Sequence, residues 1–166
     1  MGEPVERVDE HDRVVGVVER DEAIRNGWLH RIATTICRDS AGRILVYRRP
    51  DDAIRFPGRH EIMFGGAVEV GETYAAAAVR ELVEEIGVTT TVRPICKYLC
   101  RGAISPYWLA LHEAVVPTVV VVDPAEVAWH AWLSPGELRE AVRRLPFVPD
   151  GLEAYRRYLD LRDPPP

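Results

Sequence analysis

Cysteine is scarce in this chain of 166 residues, and the three present, Cys37, Cys96 and Cys100, are an odd number. That excludes a disulfide framework and favours reduced thiols. Cys96 and Cys100 also lack two further ligands at the spacing of a zinc site, so buried, inert thiols are expected. Long hydrophobic runs are missing: no stretch of about 18 apolar residues occurs, which argues against a membrane span. The opening MGEPVERVDE is acidic and polar where a signal peptide would be basic and then apolar, so the expected compartment is the cytoplasm. Positive charge is not in surplus either. The formal net charge of −5 argues against a nucleic-acid backbone as partner, because that role needs a clustered basic surface. What remains, 47% apolar and 28% charged residues, suits one globular domain with a sizeable core.

One stretch organises the rest, GAVEVGETYAAAAVRELVEEIGV from Gly66 to Val88. A helix from about Thr73 to Ile86 places Ala75, Ala78, Val79, Leu82 and Ile86 on one apolar stripe. Glu81, Glu84 and Glu85 then crowd roughly the opposite side near the helix C-terminus. Mutual repulsion and the helix dipole each disfavour this by about 0.3–1 kcal/mol at an exposed surface. A bound divalent cation would compensate, and carboxylate oxygens suit the hard ion Mg²⁺, with Mn²⁺ as a substitute. Arg80, four residues before Glu84, can orient that carboxylate and offset part of its charge. The alternative is a merely solvated acidic face.

Gly66, Glu72, Arg80, Glu81, Leu82, Glu84, Glu85, Gly87 and Val88 fill every fixed position of the Nudix box, G-x5-E-x7-R-E-U-x-E-E-x-G-U with U aliphatic. The chain therefore resembles the Nudix family through residues 66–88. The resemblance implies an α/β (α+β layered) fold, an α/β/α sandwich around a mixed β-sheet, as a single domain over residues 1–166 with about 1–28 as an N-terminal extension packed on it. It implies a metal-dependent hydrolase that cleaves a diphosphate linked to another group. Glu81, Glu84 and Glu85 would hold the metal. Glu84 is the favoured general base, with Glu72, Glu113 and Glu126 as rivals. Glu72 and Arg80, counted with Glu84 in the catalytic set, would hold loop and helix in register.

Ahead of the box, Val5, Val8, Val14, Val15, Val17 and Val18 mark two short strands joined by a turn at Asp9 to Arg13. Arg20 to Asn26 reads as a short helix stopped by Gly27. Ile32 to Cys37 and Ile44 to Tyr47 read as a hairpin about Asp39-Ser40-Ala41-Gly42. This lead-in, with Trp28-Leu29-His30-Arg31, resembles the Nudix branch of isopentenyl-diphosphate isomerase. In that branch a loop cysteine does proton chemistry and a histidine two residues later helps bind metal. The aligned positions here are Gly65 and Ala67, and the box is intact, so both departures point toward hydrolysis. His30 is left as a relic, a ligand or a half-buried structural histidine.

Arg48 and Arg49 at a strand end, with Arg55 and Arg59 in a loop broken by Pro57 and Gly58, can surround a phosphate entrance. Gly65 and Gly66 permit close backbone approach to substrate. Glu61 and Glu69 are further acids near this turn, Glu69 a candidate metal ligand. After the box, Thr89 to Leu99 reads as a strand interrupted at Pro94, and Tyr107 to Val116 and Thr118 to Val122 as two more. Val127 to Leu133 is expected to be a strand with Val127, Trp129 and Ala131 on its apolar face. Ser134-Pro135-Gly136-Glu137 is a capping box opening a helix to about Leu145. A final helix runs from Asp150 to Leu161, before Pro164. Its Leu152, Tyr155 and Leu159 can cover the sheet or the partner chain of a homodimer. The function expected is Mg²⁺-dependent hydrolysis of a nucleoside diphosphate derivative or related small diphosphate. An isomerase-like enzyme and a non-catalytic diphosphate-sensing module are the alternatives.

Overall fold

The valines near the N-terminus form an antiparallel pair, β1 (Pro4–Val8) and β2 (Val14–Glu19), in the computed structural model, which describes residues 2–162. Asp9 makes the turn between them: its Oδ1 accepts from the amides of His11 (2.8 Å) and Arg13 (3.0 Å). The short helix α1 (Arg20–Asn26) stops where Gly27 adopts a left-handed conformation, φ 66°. This N-terminal unit is tied to the body by Asp12, whose carboxylate accepts from Arg31 Nε (2.7 Å), Lys97 Nζ (2.6 Å) and the Tyr74 hydroxyl (3.0 Å).

The central strand is β3 (Arg31–Arg38), buried continuously from Ala33 to Cys37 because both faces are covered. It runs parallel to β8 (Tyr107–Val115) and antiparallel to β6 (Met63–Ala67). The expected hairpin of β3 with β4 (Ile44–Arg48) touches at only one pair, Arg38 with Ile44, since β6 occupies the rest of that edge. On β4 lie β5 (His60–Glu61) and β9 (Trp129–Leu133); β7 (Arg93–Cys100) pairs with β8, with a register shift at Pro94. Proline cannot donate to the ladder, so its interruption takes the form of a bulge.

Helix α2 (Tyr74–Ile86) covers one face of this mixed sheet, where Leu82 and Ile86 pack on Cys37, Leu45 and Phe64. Helices α3 (Pro135–Arg144) and α4 (Pro149–Arg162) cover the other, where Leu138, Ala154 and Tyr158 pack on Ile36, Val46 and Leu109. The layered α/β/α plan is that of the expected fold. The Ser134 capping box is present, with Ser134 Oγ accepting from the Glu137 amide and Glu137 from the Ser134 amide.

Four local expectations need correction. Thr118 to Val122 is not a strand: Val119 and Val121 point outward, and the segment instead closes the end of α2, with Val121 N bonding Ile86 O (3.1 Å). Trp129 is 42% exposed while Val127 is buried ahead of β9, so the apolar alternation there does not hold. Ala75 faces out, and the buried side of α2 is Ala77, Ala78, Leu82, Glu85 and Ile86. Strands β5 and β6 were not anticipated, because the glycine pair in β6 suggests a turn and only its pairing with β3 makes it a strand. In α4, Tyr155 and Leu152 pack against the sheet's core while Leu159 stays on the surface. Pro164 lies outside the described residues.

Candidate active site

Helix α2 is fixed at both ends. Thr73 Oγ1 accepts from the Ala76 amide (3.1 Å), and with Gly87 at φ 67° the N–H groups of Gly87 and Val88 return to the carbonyls of Val83 and Leu82. Arg80 clamps the preceding loop to the helix. Its Nε and Nη2 donate to the two oxygens of Glu72 (2.8 and 2.9 Å), Nη2 also to the Ala67 carbonyl (3.1 Å), and Nη1 to Glu81 (2.8 Å). Glu84 is more distant, at 3.4 Å, and 56% exposed. The salt link with Arg80 holds Glu72 below the usual carboxylate range. Neither Glu72 nor Arg80 lines the cavity described below, so their geometry is that of a clamp and not of groups that touch substrate.

The three glutamates do not share one solvated face. Glu85 is buried against the sheet, its Oε1 accepting from the Gly65 amide (3.0 Å), and Glu81 stands beside it. Burial raises both above the ordinary carboxylate value, and the proximity of Glu81 raises Glu85 further. The glycines make this approach feasible. A Cβ on Gly66 would lie 2.6 Å from Glu81 Oε1, and one on Gly65 only 2.1 Å from the Ala33 carbonyl oxygen. Among the described residues no three acidic, imidazole or thiol donors converge to enclose an ion. Arg80 draws Glu81 and Glu84 to itself, and the Gly65 amide engages Glu85.

In front of these carboxylates opens a cavity of about 650 Å³. Glu81, Glu84, Glu85 and Glu126 line one end together with Gly65 and Gly66. Arg49 and Arg55 line it too, joined by Arg20 of α1. Arg55 and Arg20 are close enough that burial and the Arg20 charge lower the Arg55 pKa, and Arg20 Nε has no hydrogen-bond partner. His30, only 1% exposed, also faces this space, and burial with the nearby Arg20 charge pushes it down to about 4. Glu61 and Asp150 complete the wall.

Several expected residues are elsewhere. Arg48 pairs with Asp51 (2.7 Å) and Arg59 Nη1 donates to the Phe147 carbonyl (3.2 Å), and neither lines the cavity. Glu69 lies outside it as well, 3.8 Å from Arg80. Glu113 is buried under α4, bound by the Tyr158 hydroxyl, Arg93 and Arg38, which removes it as a rival base. Cys96 and Cys100 are unpaired. Arg20, Glu61 and Asp150 went unrecognised as cavity residues. Arg20 is 46 residues from the box in sequence and enters only because the N-terminal unit brings the start of α1 to the cavity. Glu61 carries a faint signal, a carboxylate flanked by buried His60 and Ile62.

A sequence model of the NUDIX domain matches residues 28–158. The chain belongs to the Nudix family. This Nudix chain is a hydrolase acting on diphosphate bonds, and Nudix hydrolases generally use divalent metal ions. An uncharacterized Nudix hydrolase of Streptomyces coelicolor is 41% identical over 153 residues, 90% of this chain and 84% of that relative. An isopentenyl-diphosphate Delta-isomerase of Nocardia farcinica is 36% identical over 143 residues, 82% of each. The crystal structure of a Deinococcus radiodurans protein superposes with a TM-score of 0.80 at 28% identity, over 94% of this chain and 99% of that one. No described helix is long and apolar enough to cross a membrane.

Proposed function

We propose that this Nudix hydrolase cleaves the diphosphate of a nucleoside diphosphate derivative or related small diphosphate with Mg²⁺, Mn²⁺ being able to substitute. The observation that carries the reading is the pair Glu81 and Glu85: neighbouring carboxylates, one half-buried and one buried, both raised by burial, beside a cavity that also presents three arginines. An all-oxygen donor set of this kind fits a hard divalent cation. Glu81, Glu85 and Glu84 would hold it, and when bound it would neutralise phosphate oxygens and lower the pKa of an attacking water. Glu84, exposed and only loosely held by Arg80, is free to turn and take the proton; Glu126, on the same cavity wall, is the remaining rival. Arg49, Arg55 and Arg20 meet the phosphates, while Gly65 and Gly66 let the backbone approach them. Glu72 and Arg80 keep the loop and helix in register. The unpaired, mostly buried thiols accord with a reducing cytoplasm.

The similarity to an isomerase calls for a second test. Isomerisation of a prenyl diphosphate needs proton donors and acceptors on both faces of a double bond, and the family cysteine position is Gly65. Any side chain at 65 would strike the Ala33 carbonyl, so this backbone has no place for that thiol. Incubation with isopentenyl diphosphate in heavy water is expected to leave the carbon skeleton unlabelled. Substantial label, lost in Glu84→Gln, would replace hydrolysis by isomerisation. For hydrolysis itself, a panel of diphosphates with Mg²⁺ and mass identification of products is expected to show a split phosphoanhydride, abolished by excess chelator. Undiminished turnover with chelator present would sink the metal mechanism.

A further inference from the structure

Buried acids away from the cavity each face a cation. Asp12 has Arg31 and Lys97, Asp39 has Arg43, and Glu113 has Arg38 and Arg93. Glu85, Glu61 and Asp150, the buried acids that line the cavity, have none within 4.0 Å among the described residues. The proposed metal answers Glu85. Nothing in the hydrolytic reading bonds the other two, and Arg49 acts on Glu61 only through its charge from beyond that distance.

Their surroundings separate them. Asp150 has both oxygens engaged, by the Ala103 amide (3.0 Å) and the Tyr107 hydroxyl (2.6 Å). Glu61 is 6% exposed, and its Oε1 accepts from the amides of Ile62 (2.8 Å) and Met63 (3.2 Å), while Oε2 takes no hydrogen bond from the described residues. Across from Tyr107, with ring centroids 6.2 Å apart, His30 is buried with neither ring nitrogen bonded; the Trp28 carbonyl lies near it but outside hydrogen-bonding geometry. One open acceptor and one ring that donates at one nitrogen and accepts at the other thus face the same cavity.

Position matters as much as chemistry. Glu85 and Glu61 accept from Gly65 and Met63, alternate amides on the outer edge of β6. Two residues of strand separate those amides by about 7 Å, so a ligand whose phosphates sit at Glu85 sets its next unit against Glu61. A hydrocarbon there would leave Glu61 and His30 dry and unpaired, whereas hydroxyl or amine groups would satisfy both. We propose that Glu61 and His30 form a subsite that hydrogen-bonds the organic half of the substrate, selecting a nucleoside or sugar diphosphate over a prenyl diphosphate. This rests on the diphosphate-hydrolase reading and names its selectivity residues.

The test compares kcat/KM for ADP-ribose and dimethylallyl diphosphate with Mg²⁺ in the wild type, Glu61→Leu and His30→Phe. The wild type is expected to prefer ADP-ribose by about 100-fold or more, and each variant to lower that ratio at least tenfold, chiefly through KM. Equal losses on both compounds, or a wild type that favours the prenyl compound, would overturn the proposal. Should Glu61→Leu fail to fold, Glu61→Gln keeps an acceptor for the Ile62 and Met63 amides and carries the same comparison. If the wild type hydrolyses neither compound, calorimetry with Ca²⁺ reads the subsite without turnover. Tenfold weaker ADP-ribose binding by His30→Phe then supports the subsite, and unchanged binding refutes it.

Discussion

Asp12 and Glu85 are both carboxylates withdrawn from water, and they differ in what answers their charge. Burial alone would raise Asp12, but bonds from Lys97, Arg31 and Tyr74 outweigh it and hold the group below its usual value. Glu85 is raised by burial and again by Glu81, and the Gly65 amide donates to it with no cation alongside among the described residues. The first carboxylate binds the N-terminal unit to the body. The second keeps unfavourable charge beside the cavity, where the proposed substrate and cation would meet. In this molecule an acid's burial says little about its role, and the cation beside it says much.

The comparison is broken most sharply by neutralising each acid. Glu85→Gln is expected to lower turnover by about 10²–10⁴ while leaving thermal stability equal or higher, because Glu81 loses a repulsive neighbour. Wild-type turnover in that variant would put the chemistry elsewhere. Asp12→Ala should do the reverse, losing about 2–3 kcal/mol in denaturant unfolding because Arg31, Lys97 and Tyr74 lose a shared acceptor and Arg31 keeps Glu6 alone as counter-charge, with turnover little changed. A stable Asp12→Ala protein would show that the network is decorative.

Acidity sharpens the contrast. Glu61, Glu81 and Glu85 are all raised above the ordinary 4.5, Glu61 to about 7. The folded chain then holds protons that the unfolded chain releases, so this stabilisation is full below about pH 4.5 and is lost as pH climbs through the folded values. His30 acts in the opposite sense between about 4 and its ordinary 6.5, since the unfolded chain protonates it first. From roughly pH 6.5 to 8 the acids therefore act alone. Melting temperature of the chelated protein should fall over that range, and Mg²⁺ should restore more of it at pH 8 than at 6.5. A flat profile would mean that the carboxylates are not strained. The smallest effect is expected from the arginines: Arg55→Ala should raise KM about tenfold, through loss of a charge-assisted phosphate bond, while Arg48→Ala and Arg59→Ala stay within about threefold.

How legible was all this in the residues? Elements defined by their own neighbours could be read directly: Gly87 ending α2, Ser134 opening α3, Asp9 turning the first hairpin. Elements defined by a distant partner could not. β6 is a strand only because β3 is there to receive it, and Thr118 to Val122 has strand residues but no strand beside it. The site divides in the same way. The Nudix box located Glu81, Glu84 and Glu85, because a helix sets their relative positions. It gave no hint that Glu85 turns inward, since that depends on the Gly65 amide of β6 being there to receive it. Arg48 and Arg49 are adjacent in sequence, yet Arg48 ends β4 paired with Asp51, and Arg49, one residue past the strand, alone reaches the cavity. Arg20 and Asp150 come from opposite ends of the chain, where no local spacing connects them.

The outer edge of β6 has one more consequence. A strand with amides free on one side invites another strand to add to it, and that is a common route to aggregation. Here the Met63 and Gly65 amides are taken by Glu61 and Glu85, so the sheet is closed by side chains where backbone would otherwise dock. The same two carboxylates that face the cavity thus also act as guards against strand addition. A variant that strips both, Glu61→Leu with Glu85→Leu, should gain a tendency to self-associate that neither change in activity nor loss of charge alone would foretell.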